Sequence, residues 1–423
     1  MKTRRSQVGA LYLHIRRIEQ GRIDRPRSWL GRKMLVHRAA GFLAGLSLRR
    51  RRAYLEAYVR RLEREVWRHD VTALDDPAMG DPLLFAAEKA AALHRFDRHP
   101  REVTEGFIDV SESRVGGHPV AGRRVFYQRW RPTPSIEPTG VVAVISPGYQ
   151  ETGRNFHEQI DLLTRGGHEV IGIDHQWAGY TYTPGASSRP GFVDRGFGVA
   201  RDVAAAGALA SALAGDGGRV VLVGTSMGAG PGVLGALVLS DAGQLELSLS
   251  GEVEGIALDG RQLPHERVAA VLQSPYLAVT PGMTNWLLAQ LGRVPGLRGW
   301  SSPVIDLPVV TRDPLAKTRF AGHAARSDVR TRAETMYRAA PDLERIKALA
   351  REGHIRRPLY VIHGSADTMT DPEASRALVR SINEGGALAH LEEVPTRNHI
   401  FEEDPKLQRH LLGAVDWVAG RLA

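Results

Sequence analysis

Residues 220–230 read VVLVGTSMGAG, and the meaning of Ser226 within that stretch decides the fold. A run of branched apolar residues fits a strand buried on both faces, and the small residues after it fit a helix packed tightly behind. Gly-x-Ser-x-Gly arises by chance in a chain with 45 glycines, so the pentapeptide needs a setting. At an idle junction Ser226 would merely start the helix. In a parallel sheet it would occupy a strained strand-to-helix turn. Gly224 and Gly228 would then be required because neighbouring Cβ atoms would crowd the crossing. The hydroxyl would stand at the carboxyl edge of the sheet, with the backbone N–H of Met227 turned toward an adjacent oxyanion.

The surrounding sequence supplies that setting. Upstream, GFIDVSES (106–113) and RRVFYQRWRP (123–132) alternate like an antiparallel pair, and VVAVISPG (141–148) is a continuous apolar run. NFHEQIDLLTRGG (155–167) has helical spacing, EVIGIDH (169–175) is a strand, and VARDVAAAGALASALA (199–214) is a helix leading into the serine strand. Downstream come RVAAVLQSP (267–275), RPLYVIHGSAD (357–367) and AHLEEVP (389–395), each read as a strand. Alternating strands and helices predict an α/β fold, a mostly parallel sheet flanked by helices. LELSLSGEVEGIALDGR (245–261) predicts an inserted hairpin. About 75 residues separate LQSPYLAV from RPLYVIHG where a helix needs about 15, so a cap insertion is expected at about 276–350. Trp286, Leu287, Leu288 and Leu291 are its candidate apolar pocket lining, or else simply pack it onto the body.

The first 103 residues follow another grammar, an Arg-rich helical extension ahead of a main domain at 104–423. Residues 1–70 hold 19 Lys and Arg against 6 Asp and Glu, a net of +13; the other 353 carry 37 against 41, a net of −4. The basic excess is therefore a local device. In RRAYLEAYVRRLEREVWRHD (51–70) apolar residues recur at helical spacing opposite the arginines. Either this helix packs on the domain with its arginines solvated, or it meets an anionic membrane surface. No zinc-finger spacing or aromatic-interleaved patch accompanies the charge, so nucleic acid is not an expected partner. No run of about 18 apolar residues is present. The absence of cysteine excludes disulfides and a thiol nucleophile and suits a cytoplasmic location. No HExxH, EF-hand or Walker pattern occurs, so neither a metal nor a nucleotide cofactor is expected.

A serine nucleophile needs a base, and the base needs an orienting carboxylate. The order Ser, Asp, His demanded by this architecture is met by Asp367 at the end of YVIHGSAD and His399 in RNHIFEED. Asp371 before Pro372 is the rival acid, or a helix cap. His410 lies in a helical pattern and reads as surface. His175 and His363 follow apolar strands and read as structural, Asp174 as a brace for its loop, and the acidic run FEEDP as a solvated helix start.

Taken together, VISPGYQETGRNF (144–156), GIDHQWAGYT (172–181), GTSMG, LQSPYLAV, HGSAD and RNHIFEED resemble the α/β-hydrolase superfamily. They resemble its branch of monoacylglycerol lipases, lysophospholipases and serine aminopeptidases, over residues 104–423. The resemblance implies Ser226 as nucleophile, Asp367 as orienting acid and His399 as general base, with the backbone N–H groups of Tyr149 and Met227 as oxyanion hole. Pro147-Gly148 stands where the family usually has His-Gly, and Thr225 where it usually has His or Tyr. DHQWAGYT departs from the family loop and carries no pocket information across. The expected substrate is a small-molecule carboxylic ester with an apolar portion. The same acyl-enzyme could instead be resolved by an alcohol, amine or internal nucleophile, and a catalytically silent binding protein is the remaining alternative.

Overall fold

A computed structural model describes residues 103–149, 151–176, 181, 195–278, 301–303, 330–399 and 405–422. The expected extension as far as residue 102 lies outside the described residues, as do Trp286, Leu287, Leu288, Leu291 and the acidic residues 402–404. Of the expected cap, 276–278, 301–303 and 330–350 are described.

Nine strands form one sheet. They are β1 (Val103–Val110), β2 (Arg123–Trp130), β3 (Val141–Ser146), β4 (Glu169–Ile173), β5 (Arg219–Thr225), β6 (Leu249–Ser250), β7 (Val268–Gln273), β8 (Leu359–Gly364) and β9 (Ala389–Val394). Their spatial order is β9-β8-β7-β5-β3-β4-β2-β1-β6. The six strands from β9 to β4 are parallel, and β2, β1 and β6 continue the sheet by antiparallel pairing. This is the α/β-hydrolase fold. Every residue of β3 and β7 is buried, as their unbroken apolar runs require, whereas edge strand β9 is buried only at its two ends.

Helices α1 (His157–Arg165) and α6 (Pro405–Ala419) cover one face. On the other lie α2 (Gly196–Ala214), α3 (Gly235–Asp241), α4 (Ala333–Arg351) and α5 (Pro372–Glu384). Among the described residues α2 alone is long and apolar enough to cross a membrane, and it is enclosed by β3, β5, α3 and α4. Enclosure explains its apolarity all round. It also explains why its charges are paired: Arg123 Nη1 lies 2.7 Å from Asp202 Oδ2, and Arg201 Nη2 lies 3.2 Å from Asp202 Oδ1.

Two details depart from sequence expectation. The helix after Ser226 begins as a wide, π-helical turn at Gly228–Leu234, with Pro231 inside it and Gly232 N–H bonded to Met227 O at 3.2 Å. Pro231 offers no N–H to a regular ladder, so the first turn opens out. The hairpin at 245–261 is shorter than its pattern suggests, Glu252–Val253 against Ile256–Ala257, and Leu249–Ser250 joins the main sheet instead. Glu254 and Gly255 turn the corner with φ of 52° and 79°. The Glu254 side chain pins that corner to the sheet, accepting from Thr104 Oγ1 at 2.7 Å, Tyr127 Oη at 3.0 Å and Arg129 Nη1 at 2.5 Å.

Candidate active site

Ser226 occupies the turn after β5 with φ of 54°, a left-handed conformation that costs a non-glycine residue on the order of 1–3 kcal/mol. Hydrogen bonds impose it. Ser226 N–H donates to Gln273 O at 3.0 Å, and the Ser226 carbonyl accepts from Tyr276, Gly230 and Ala229 at 2.9, 3.0 and 3.1 Å. Sterics permit it only with glycine alongside. A Cβ on Gly228 would stand 2.2 Å from Ser146 O and 2.4 Å from Pro147 O, and one on Gly224 would stand 2.6 Å from Gly228 O. The turn therefore lies directly on the end of β3.

A buried pair reinforces this crossing. Ser146 Oγ donates to Gly228 O at 3.1 Å and stands 2.9 Å from His175 Nε2. Having spent its one proton on Gly228, the hydroxyl accepts from His175, which carries a proton on Nε2. Burial pushes the His175 imidazole down to about 3, with Asp202 opposing and Arg123 assisting. His175 is structural, as its sequence position suggests. Asp174 braces its neighbourhood by accepting from Gly153 N–H at 3.1 Å.

The structure brings Ser226, His399 and Asp367 together. His399 Nε2 lies 3.0 Å from Ser226 Oγ, and His399 Nδ1 lies 2.8 Å from Asp367 Oδ2. Both partners of the serine are buried. They come from the loops after the adjacent parallel strands β8 and β9. Asn398 staples those loops, its Oδ1 accepting from Thr368 N–H at 3.2 Å and from His399 N–H at 2.9 Å.

Asp367 is saturated with donors. Oδ1 accepts from the N–H groups of Met369 at 2.7 Å and Thr370 at 3.0 Å. Oδ2 receives Thr370 Oγ1 at 2.8 Å, His363 Nε2 at 3.1 Å and His399. Burial alone would raise the pKa of this carboxyl, but hydrogen bonds from His363 and His399 outweigh it and hold Asp367 far below the ordinary carboxylate range. The rival, Asp371, is the N-cap of α5, accepting from Glu373 N–H with Pro372 beside it. His410 is half-exposed on α6 and pairs with Glu392.

Tyr149 and Met227 flank Ser226 through the chain and the β3 loop. A Cβ on Gly148, next to Tyr149, would be 3.3 Å from Ser226 Cβ. Both side chains pack in a small apolar cluster with Val199, Ala339 and Tyr276. Gly148 N–H donates to Glu151 Oε2 at 3.0 Å, fixing the loop. Among the described residues no group of three or more His, Cys, Asp and Glu is arranged to hold a metal ion.

Sequence reasoning misses Thr370, Ser375 and Asn398. For Thr370 a signal exists, since an Asp three residues before a Thr favours a side-chain-capped turn. Ser375, which meets His363 across the α5 interface, and Asn398, which staples two loops, have none.

Residues 256–399 match the family model described as serine aminopeptidase, S33. The matched stretch includes Asp367 and ends at His399, and Ser226 lies upstream of it. No curated protein matches the chain. Among solved structures, a soluble variant of monoglyceride lipase from Saccharomyces cerevisiae, in complex with a substrate analogue, is similar with a TM-score of 0.56 and 16% identity. The match covers 77% of this chain and 99% of that one. A highly thermostable carboxyl esterase from Bacillus coagulans gives 0.51 and 16%, over 76% and 99%. At such identity the likeness is one of fold.

Two outcomes are expected. Gly228→Ala should lower the unfolding free energy by about 3 kcal/mol or more, because backbone carbonyls cannot retreat from the new methyl; urea unfolding measures it. His175 should make the protein acid-sensitive before its carboxylates do. An unfolded histidine binds a proton near 6.5 and the native one resists until about 3. Stability is then full above pH 6.5 and falls as the pH drops from there toward 3, with a limiting slope of about 1.4 kcal/mol per pH unit. His175→Gln, which keeps a donor for Ser146, should flatten the unfolding free energy between about pH 7 and about pH 5; an unchanged slope would assign the sensitivity elsewhere.

Proposed function

We propose that the chain is a serine hydrolase that cleaves a carboxylic ester through an acyl-enzyme on Ser226. The observation that carries this reading is the unbroken hydrogen-bonded chain from Ser226 Oγ through His399 to Asp367, 3.0 and 2.8 Å long at its two links.

The chemistry follows from proton placement. Asp367 stays ionised, so His399 keeps its proton on Nδ1 and presents the Nε2 lone pair to the serine. As Ser226 Oγ attacks the carbonyl carbon, its proton passes to His399 Nε2, and Asp367 stabilises the imidazolium that forms. The developing oxyanion is received by the N–H groups of Tyr149 and Met227, about 3 kcal/mol for each donor. The imidazolium returns its proton to the leaving alcohol. Water then enters, His399 takes a proton from it as it attacks the acyl carbon, and the imidazolium returns that proton to the departing Ser226 Oγ, which releases the acid and restores the serine. Tyr149, Met227, Val199, Ala339 and Tyr276 give the Ser226 surroundings an apolar character. With Trp286, Leu287, Leu288 and Leu291 of the expected cap, this favours an ester having a hydrocarbon portion, of monoacylglycerol or lysophospholipid type.

Ser226→Ala should abolish both hydrolysis of a short p-nitrophenyl ester and labelling by a fluorophosphonate while leaving the thermal transition intact; retained turnover removes Ser226 from the reaction. A panel of p-nitrophenyl esters, monoacylglycerols, thioesters and aminoacyl amides, run with and without added alcohols and amines, separates hydrolysis from acyl transfer and peptidase action.

The basic segment 1–70 suits work at an anionic membrane surface on the cytoplasmic side, each basic residue near the lipid contributing about 1 kcal/mol. Full-length protein should sediment with anionic vesicles, stay free with zwitterionic ones, and be released by high salt. Equal partitioning between the two vesicle types would leave the arginines as solvated surface.

A further inference from the structure

Asp367 Oδ2 is shared by two imidazoles. His399 approaches to 2.8 Å and His363, fully buried on β8, to 3.1 Å. The other nitrogen of His363, Nδ1, lies 2.8 Å from Ser375 Oγ on α5. The Thr370 hydroxyl sits among them, 2.8 Å from the same carboxylate oxygen, 3.2 Å from His399 Nδ1 and 3.3 Å from His363 Nε2.

A count of protons fixes the direction of each bond to the carboxylate. An ionised carboxylate only accepts, so each group on Oδ2 must donate to it. His399 therefore holds its proton on Nδ1, which leaves Nε2 open toward Ser226. By the same count His363 holds a proton on Nε2. If His363 is neutral, its Nδ1 is a lone pair, and Ser375 must donate into it. The sequence Ser375 to His363 to Asp367, met there by His399, is consistent at each link. A protonated His363 would be a second cation on Asp367 and would compete with the imidazolium that must form on His399. The charged or titratable groups facing His363 are Asp367 and His399 at the carboxylate and Glu393, its register partner on β9.

We propose that His363, locked in its Nε2-protonated tautomer by Ser375, is a positioning residue: it holds Asp367 Oδ2 in place and so keeps the His399 proton on Nδ1. The proposal deepens the serine-hydrolase reading and rests on it. A histidine that merely fills the core needs polar partners of some kind, but it does not need the one oxygen that orients the base.

Four proteins test this: the wild type, His363→Leu (no donor), His363→Gln (an N–H donor toward Asp367) and Ser375→Ala (no tautomer lock). Two readouts are used, ester kinetics against pH and the downfield proton resonance of His399 Nδ1–H, which does not depend on turnover. His363→Leu should lower kcat on the order of tenfold with KM within about twofold. It should also shift the acid limb of kcat/KM and move the His399 resonance. His363→Gln should restore most of all three, and Ser375→Ala should reproduce the Leu effects in smaller measure. A folded His363→Leu that loses only thermal stability, with resonance and acid limb unmoved, overturns the proposal. If His363→Leu does not fold, Ser375→Ala decides by the same two readouts, and an unmoved resonance overturns it. A resonance that responds to His363→Leu, together with a wild type that neither turns over esters nor takes up fluorophosphonate, upholds the network and removes the hydrolase reading instead.

Discussion

The turn at Ser226 is laid so closely on the end of β3 that Gly228 meets two backbone carbonyls where a methyl group would be. The site is built on that contact. It brings the β3 loop, and with it Tyr149, beside the serine without any side chain intervening. Five hydrogen bonds then hold the crossing rigid, four at the backbone of Ser226 and one from Ser146 to Gly228. A strained φ persists only where its surroundings over-determine it, and here they do so from β3, from β7 and from the first turn of the following helix.

The far side of the site is arranged by polar satisfaction instead of close packing. Asp367 is a buried charge, which is tolerable only with its acceptor sites filled. Two backbone N–H groups, one hydroxyl and two imidazoles fill them. The anion is thereby secured while its contact with His399 stays short. The two halves differ in how they can fail. Added volume breaks the serine turn, whereas a lost donor loosens the carboxylate.

Much of this was legible in the residues. The apolar runs at 141–146 and 268–273 announced central parallel strands, and the order Ser226, Asp367, His399 announced their meeting. Choosing Asp367 over Asp371 was also within reach, because Pro372 marks Asp371 as a cap. The illegible parts are those in which no local period exists. A two-residue strand such as Leu249–Ser250 is too short to alternate. The wide turn around Pro231 depends on Gly228 and Gly230 approaching other backbone segments. Ser375 and Asn398 act on partners 12 and 30 residues away in the chain, so their meaning exists only after folding.

The separation of the reacting groups along the chain sets an order in time. His399 lies 173 residues after Ser226, roughly 9 to 35 s of synthesis at about 5–20 residues per second. Throughout that interval the nascent chain carries a serine with no base, and β7, β8 and β9 are added beyond its turn only one after another. On the proposed chemistry, a half-made chain is harmless to any ester it meets. On that same chemistry, the last strand and the loop that follows it complete the site last.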